Sequence, residues 1–106
     1  MNTNELIQDL NRSEEWNLSE RLSIGELEQL LSDTLNEWVR SDFNKLLLFL
    51  YRVDISESRL KELLNENTSE DAGTIMARLV LERLWQKIET RRLFKPGEYT
   101  SDEERW

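Results

Sequence analysis

The sequence predicts an all-α protein, a compact bundle of four to five helices in a single domain. Three observations point there. Large apolar residues cluster from Leu27 to Leu64 and from Ile75 to Phe94, and they recur at helical intervals without the alternation of a strand. Residues suited to capping a helix N-terminus head the main apolar stretches. The chain has 106 residues, room for one core, since independent domains usually run to roughly 100 to 150 residues.

The first element is short. Leu6, Ile7 and Leu10 share one side of residues 4–12, and an isolated helix of that length is unstable, so it must dock on something. Residues 13–22 hold Trp16, Leu18 and Leu22 among charges with no clear period and read as a linker or loose helix. Residues 1–22 are therefore expected to be a loosely attached segment of a domain spanning 1–97.

Ser23 and Glu26 have capping-box spacing, in which each side chain satisfies the other residue's free backbone N–H. The helix they open runs to about Arg40. Leu27, Leu30, Leu31, Leu35, Trp38 and Val39 should face inward, with Glu28, Ser32, Asp33, Asn36 and Glu37 outward.

Ser41 and Asp42 offer the next cap, before Phe43 and the unbroken run Leu46 to Tyr51. That run is rich in leucine, poor in β-branched residues and has no second strand to pair with, which favours helix. Because it is apolar at every position, it is expected at the centre of the bundle.

Ser56 resembles an N-cap, and Ile55 and Leu60 have the spacing of a hydrophobic staple. The helix so begun should bury Leu60, Leu63 and Leu64 and end near Asn65. Thr68 or Ser69 then opens the last and longest helix, which reaches about Phe94 before Pro96 and Gly97 close the fold. The first half of that helix is apolar nearly all round, as a deep core position or a homodimer interface requires. Its second half should bury Leu84, Trp85 and Ile88. Residues 98–106 read as a flexible acidic tail.

Composition removes most catalytic chemistry. The chain has no histidine, hence no imidazole base, triad or His-ligated zinc, and no cysteine, hence no disulfide, thiolate metal site or thiol nucleophile. Gly25, Gly73 and Gly97 are too scattered to cradle a phosphate. Carboxylate pairs such as Glu62 and Glu66 read as solvated helix faces. We therefore expect no enzyme, no cofactor and no metal. No apolar run approaches the ~20 residues that span a bilayer, so no membrane segment is expected and the cytoplasm is the default location.

The net charge of −8 is unevenly distributed. Residues 74–97 hold only Glu82 and Glu89 against Arg78, Arg83, Lys87, Arg91, Arg92 and Lys95, so one helix is basic in an acidic protein. Arg83, Lys87 and Arg91 recur every four residues as a stripe. They are candidates for anion or nucleic-acid contact, although cations near a helix C-terminus also oppose its dipole and can meet the acidic N-terminal segment. Nucleic acid is disfavoured by the surrounding acid. Of the four tryptophans, Trp38 and Trp85 fall on apolar faces, whereas Trp16 and Trp106 are the candidate exposed anchors. Glu14, Glu15 and Glu20 belong to an acidic surface that can face a basic partner.

The reading is a non-enzymatic interaction or regulatory protein that binds a protein partner or a second copy of itself. Two alternatives stand beside it: an acidic inhibitor that imitates nucleic-acid charge and blocks a basic nuclease or DNA-binding protein, and nucleic-acid binding through the basic stripe of the last helix.

Overall fold

The computed structural model describes residues 1–13, 16–66 and 70–93, which form five helices and no strand. These are α1 (Thr3–Ser13), α2 (Ile24–Ser41), α3 (Phe43–Val53), α4 (Glu57–Glu66) and α5 (Ala72–Leu93). The all-α bundle expected from the sequence is the observed architecture.

Helix α5 is the axis, with α2 packed along it and α1, α3 and α4 leaning on the pair. Its apolar first half is a deep core position, because Ile75, Met76, Ala77, Leu79, Val80 and Leu81 are all buried within one chain. α1 does dock. Leu6, Ile7 and Leu10 are fully enclosed and join the same core as Leu84 and Ile88. Arg91 reaches Asp9 at 2.9 Å, and Arg92 pairs with Glu5, so the last turns of α5 hold α1 from outside as well.

Residues 16–22 are not helical, yet they are tied down. The Asn11 side chain donates to the Leu18 carbonyl (3.0 Å) and accepts from the Leu18 N–H (2.9 Å), imitating a strand pairing with a single amide. The capping box at Ser23 is formed in both directions, at 3.1 and 2.9 Å.

The buried face of α2 is rotated from the expected one. Leu27, Leu31 and Leu35 are enclosed as predicted, but Leu30 and Val39 are exposed, whereas Ser32 is buried. The cause lies in the first turn of α5. Gly73 brings the two backbones close beside Ser32 and Asn36; the Ser32 and Thr74 hydroxyls bond at 3.2 Å, and the Asn36 amide accepts from the Gly73 N–H at 3.0 Å while donating to Asp71 at 3.2 Å. Val39 lies beyond this crossing, past the start of α5, and Leu30 lies on the flank away from Ser32.

Asp71 caps α5, accepting from the Thr74 N–H at 2.7 Å; Thr68 and Ser69, expected to open the helix, lie outside the described residues. That backbone bond, then the Asn36 amide, holds the Asp71 carboxyl below the usual aspartate range. Alongside, Arg78 bridges Glu70 (2.8 Å) and Glu28 of α2 (3.3 Å), and the Glu70 bond leads in raising its already high pKa.

The largest departure from expectation is in α3. Only Leu46, Phe49, Leu50 and Val53 are buried; Phe43, Leu47, Leu48 and Tyr51 face outward. The segment is helical but not central. It packs on α2 and α5 from one side, and in such a layer a helix buries one face only. Helix α4 has no buried residue at all, with Leu60, Leu63 and Leu64 half-buried.

Candidate interaction surface

The exposed side of α3 is built by the same backbone that fixes its buried side. Asp42 caps the helix by accepting from the Lys45 N–H at 3.1 Å. At the far end Asp54 adopts the left-handed conformation (φ 71°), its N–H bonding Tyr51 O while the Ile55 N–H bonds Leu50 O at 3.1 Å. This pair of bonds is a Schellman closure, which uses carbonyls the helix would otherwise leave free. Both ends are thus stopped, and Phe49, fully buried, prevents the helix from rolling. Phe43, Leu47 and Tyr51, four residues apart, must then form a ridge on the surface, with Leu48 beside it.

Their exposure is large for apolar side chains: 55% at Phe43, 49% at Leu47, 58% at Leu48 and 83% at Tyr51. Along the ridge runs a groove between α3 and α4 of about 500 Å³. Its walls are Leu47, Leu48, Leu50 and Tyr51 on one side and Ile55, Leu60 and Leu64 on the other, with Glu57 and Lys61 at the rim. Ile55 and Leu60 of that wall, at the spacing of a staple, also pack against the core, and Ser56 caps α4 through the Arg59 N–H at 3.2 Å. The surface can bury apolar groups; its walls carry no carboxylate or amine apart from the rim pair.

The basic stripe is occupied within the chain. Arg83 bonds the Asp54 carboxylate at 2.9 Å and the Asp54 carbonyl at 3.3 Å; Lys87 donates to the Arg52 carbonyl at 3.4 Å; Arg91 meets Asp9. Arg92 also lies over the Trp85 ring, 5.6 Å from its centre. A hollow of about 300 Å³ near Arg12, Arg52, Lys87 and Arg91 contains Asp9, which accepts from Arg12 and Arg91 together and balances part of its charge. Cations here join helices to one another.

Trp16 is not an exposed anchor. Its ring is half-buried, edge-on to Trp38 (5.9 Å between centres) and tilted over Phe49 (5.6 Å), plugging the bundle where residues 16–22 cross it. Lys45 covers the Trp38 ring from outside at 5.1 Å. Glu20 is exposed in the turn before α2, apart from the α3 surface in sequence and element. Glu14, Glu15 and Trp106, together with Lys95 and the whole of 98–106, lie outside the described residues.

None of the residues that form the groove was singled out from sequence as a binding candidate. The signal was present as an excess. The eleven residues of α3 contain two apolar faces, Leu46-Phe49-Leu50-Val53 and Phe43-Leu47-Leu48-Tyr51, and a bundle this small can cover only one.

Among the described residues no group of three or more acidic, histidine or cysteine side chains is placed to hold a metal ion, and no helix is long and apolar enough to cross a membrane. Comparison of the chain with protein-family models, with curated proteins and with solved structures found no match.

Proposed function

We propose that the protein is a non-enzymatic interaction protein of the cytoplasm, which docks on a protein partner through the apolar face of α3 and the α3/α4 groove. One observation carries the reading: four large apolar side chains stand 49 to 83% exposed on one side of a helix whose opposite side is locked in the core. Monomeric proteins rarely leave contiguous apolar patches of more than a few hundred Å² open, and larger ones mark binding surfaces. The residue inventory agrees, since a chain without histidine or cysteine has few groups able to act as base or nucleophile near neutral pH.

Charge mimicry of nucleic acid rests on the net charge of −8 and on nothing more local. The apolar surface favours docking by burial, which resists salt, over an acidic inhibitor, whose binding weakens steeply with salt. The test is capture from the native cell extract with wild-type protein and with Leu48→Glu, at low and at high salt. Docking through α3 predicts captured proteins that survive high salt and disappear in the variant. A captured set unchanged by Leu48→Glu overturns the reading, and one stripped by salt alone supports the acidic inhibitor.

A further inference from the structure

We infer that the occupant of this face is a second copy of the same chain, related by a two-fold axis that passes close to Leu47. The inference rests on the docking surface proposed above and names its partner.

A two-fold contact joins a patch to itself, so the patch must contain both a projection and a matching recess. The α3 face has both. The ridge Phe43-Leu47-Tyr51 projects, and the α3/α4 groove lies beside its Tyr51 end while Phe43 stands at the other. Two α3 helices laid antiparallel about Leu47 bring Phe43 of each copy to Tyr51 of the other, at the mouth of the other copy's groove. Ridges of residues four apart are the rows that most often interdigitate between helices.

The exposed parts of Phe43, Leu47, Leu48 and Tyr51 amount to on the order of 500 Å², and burying the patch on both copies gives about 1,000 Å². That reaches the lower bound for a specific interface before the half-exposed groove walls are added.

Two chains of net charge −8 repel one another, and the contact must fall where repulsion is least. Across α3 and α4, residues 42–66, the acids Asp42, Asp54, Glu57, Glu62 and Glu66 are nearly matched by Lys45, Arg52, Arg59 and Lys61, and the ridge itself carries no charge. Acids predominate in residues 1–40, so the apolar face lies on a near-neutral part of an acidic molecule.

Sedimentation equilibrium of the full chain is expected to show a reversible dimer, with a dissociation constant at least tenfold higher in Leu48→Glu. Circular dichroism checks that the variant keeps its helices, as an exposed position should. Because the chain has no native cysteine, Leu47→Cys places a single thiol near the axis. Mild oxidation should convert that variant to a covalent dimer at least tenfold faster than Gln29→Cys on exposed α2. A wild-type chain that stays monomeric at several hundred micromolar overturns the inference, as does a Leu48→Glu dimer of wild-type strength or equal cross-linking at the two positions. A monomer whose captured proteins vanish in Leu48→Glu overturns the dimer and leaves the docking reading standing. A monomer whose captured set is unchanged by Leu48→Glu overturns both.

Discussion

Asn36 of α2 and Gly73 of α5 are fitted to each other so tightly that a Cβ added at Gly73 would fall 2.5 Å from the Asn36 amide and from the Ser32 carbonyl oxygen. The absent side chain lets Asn36 accept from the Gly73 N–H, one of the donors that the start of a helix leaves without an internal partner. Gly73→Ala is therefore expected to destabilise by about 1 to 3 kcal/mol or more, since the Ser32 obstacle is backbone and cannot swing away. Urea denaturation measures it. Trimming the movable neighbour with Asn36→Ala in the same chain should recover only part of the loss.

The cap at Asp71 makes the same corner sensitive to acid. Its carboxyl titrates below the usual range because the folded backbone bonds its charged form. A group so depressed supports the fold above its unfolded pKa, and the support disappears as pH falls through the folded value. Melting temperature should drop between neutral pH and pH 3 less steeply in Asp71→Asn than in wild type, because asparagine caps without a charge. Identical slopes in the two proteins would remove Asp71 from the account.

Helix α3 offers a direct test of its two faces. Phe49→Ala should cost about 3 to 5 kcal/mol, as truncating a fully enclosed aromatic does. Leu48→Gln and Tyr51→Gln, measured at concentrations low enough to keep the chain monomeric, should stay within about 0.5 kcal/mol of wild type. Losses of several kcal/mol at both outer positions would mean that the run lies in the core after all.

The two ways in which α5 holds its neighbours differ in strength. Leu10→Ala, at a fully buried position of α1, should cost about 2 to 5 kcal/mol in urea denaturation. Arg83→Ala, which removes a partly exposed pair with Asp54, should cost less than about 1 kcal/mol.

Helix α4 has no buried residue and holds on through half-buried leucines, so its amides should open first. Hydrogen exchange is expected to deuterate residues 57–66 well before the buried stretches of α2 and α5. Protection of α4 equal to that of α5 would contradict this ranking.

Much of this fold is legible in the residues. The Ser23 box, the Ser56 cap and the two core leucine rows of α1 and α2 are local patterns with one physical meaning, and each appears as expected. What local pattern does not reveal is which neighbour covers a face. Hydrophobicity on every side of Phe43–Tyr51 is compatible with a centre or with an uncovered flank, and only the placement of α2 and α5 decides between them. Ser32 and Asn36 misled for the converse reason: polar side chains read as solvent-facing, yet they meet Thr74, Gly73 and Asp71, some forty residues away in sequence, whose own polar atoms receive them. The apolar candidate surface was hidden because its residues looked like core, while Trp16, which looked free, fills space between Trp38 and Phe49.

The clasp between Asp9, Glu5 and the pair Arg91 and Arg92 also sets an order of events during synthesis. Helix α2 gives the first helix part of its seat, but the larger part of its cover, and both arginine partners, belong to α5 and are made last. Until α5 has been made, Leu6, Ile7 and Leu10 are covered by α2 alone, and apolar side chains left partly open in this way are the ones that stray into wrong contacts.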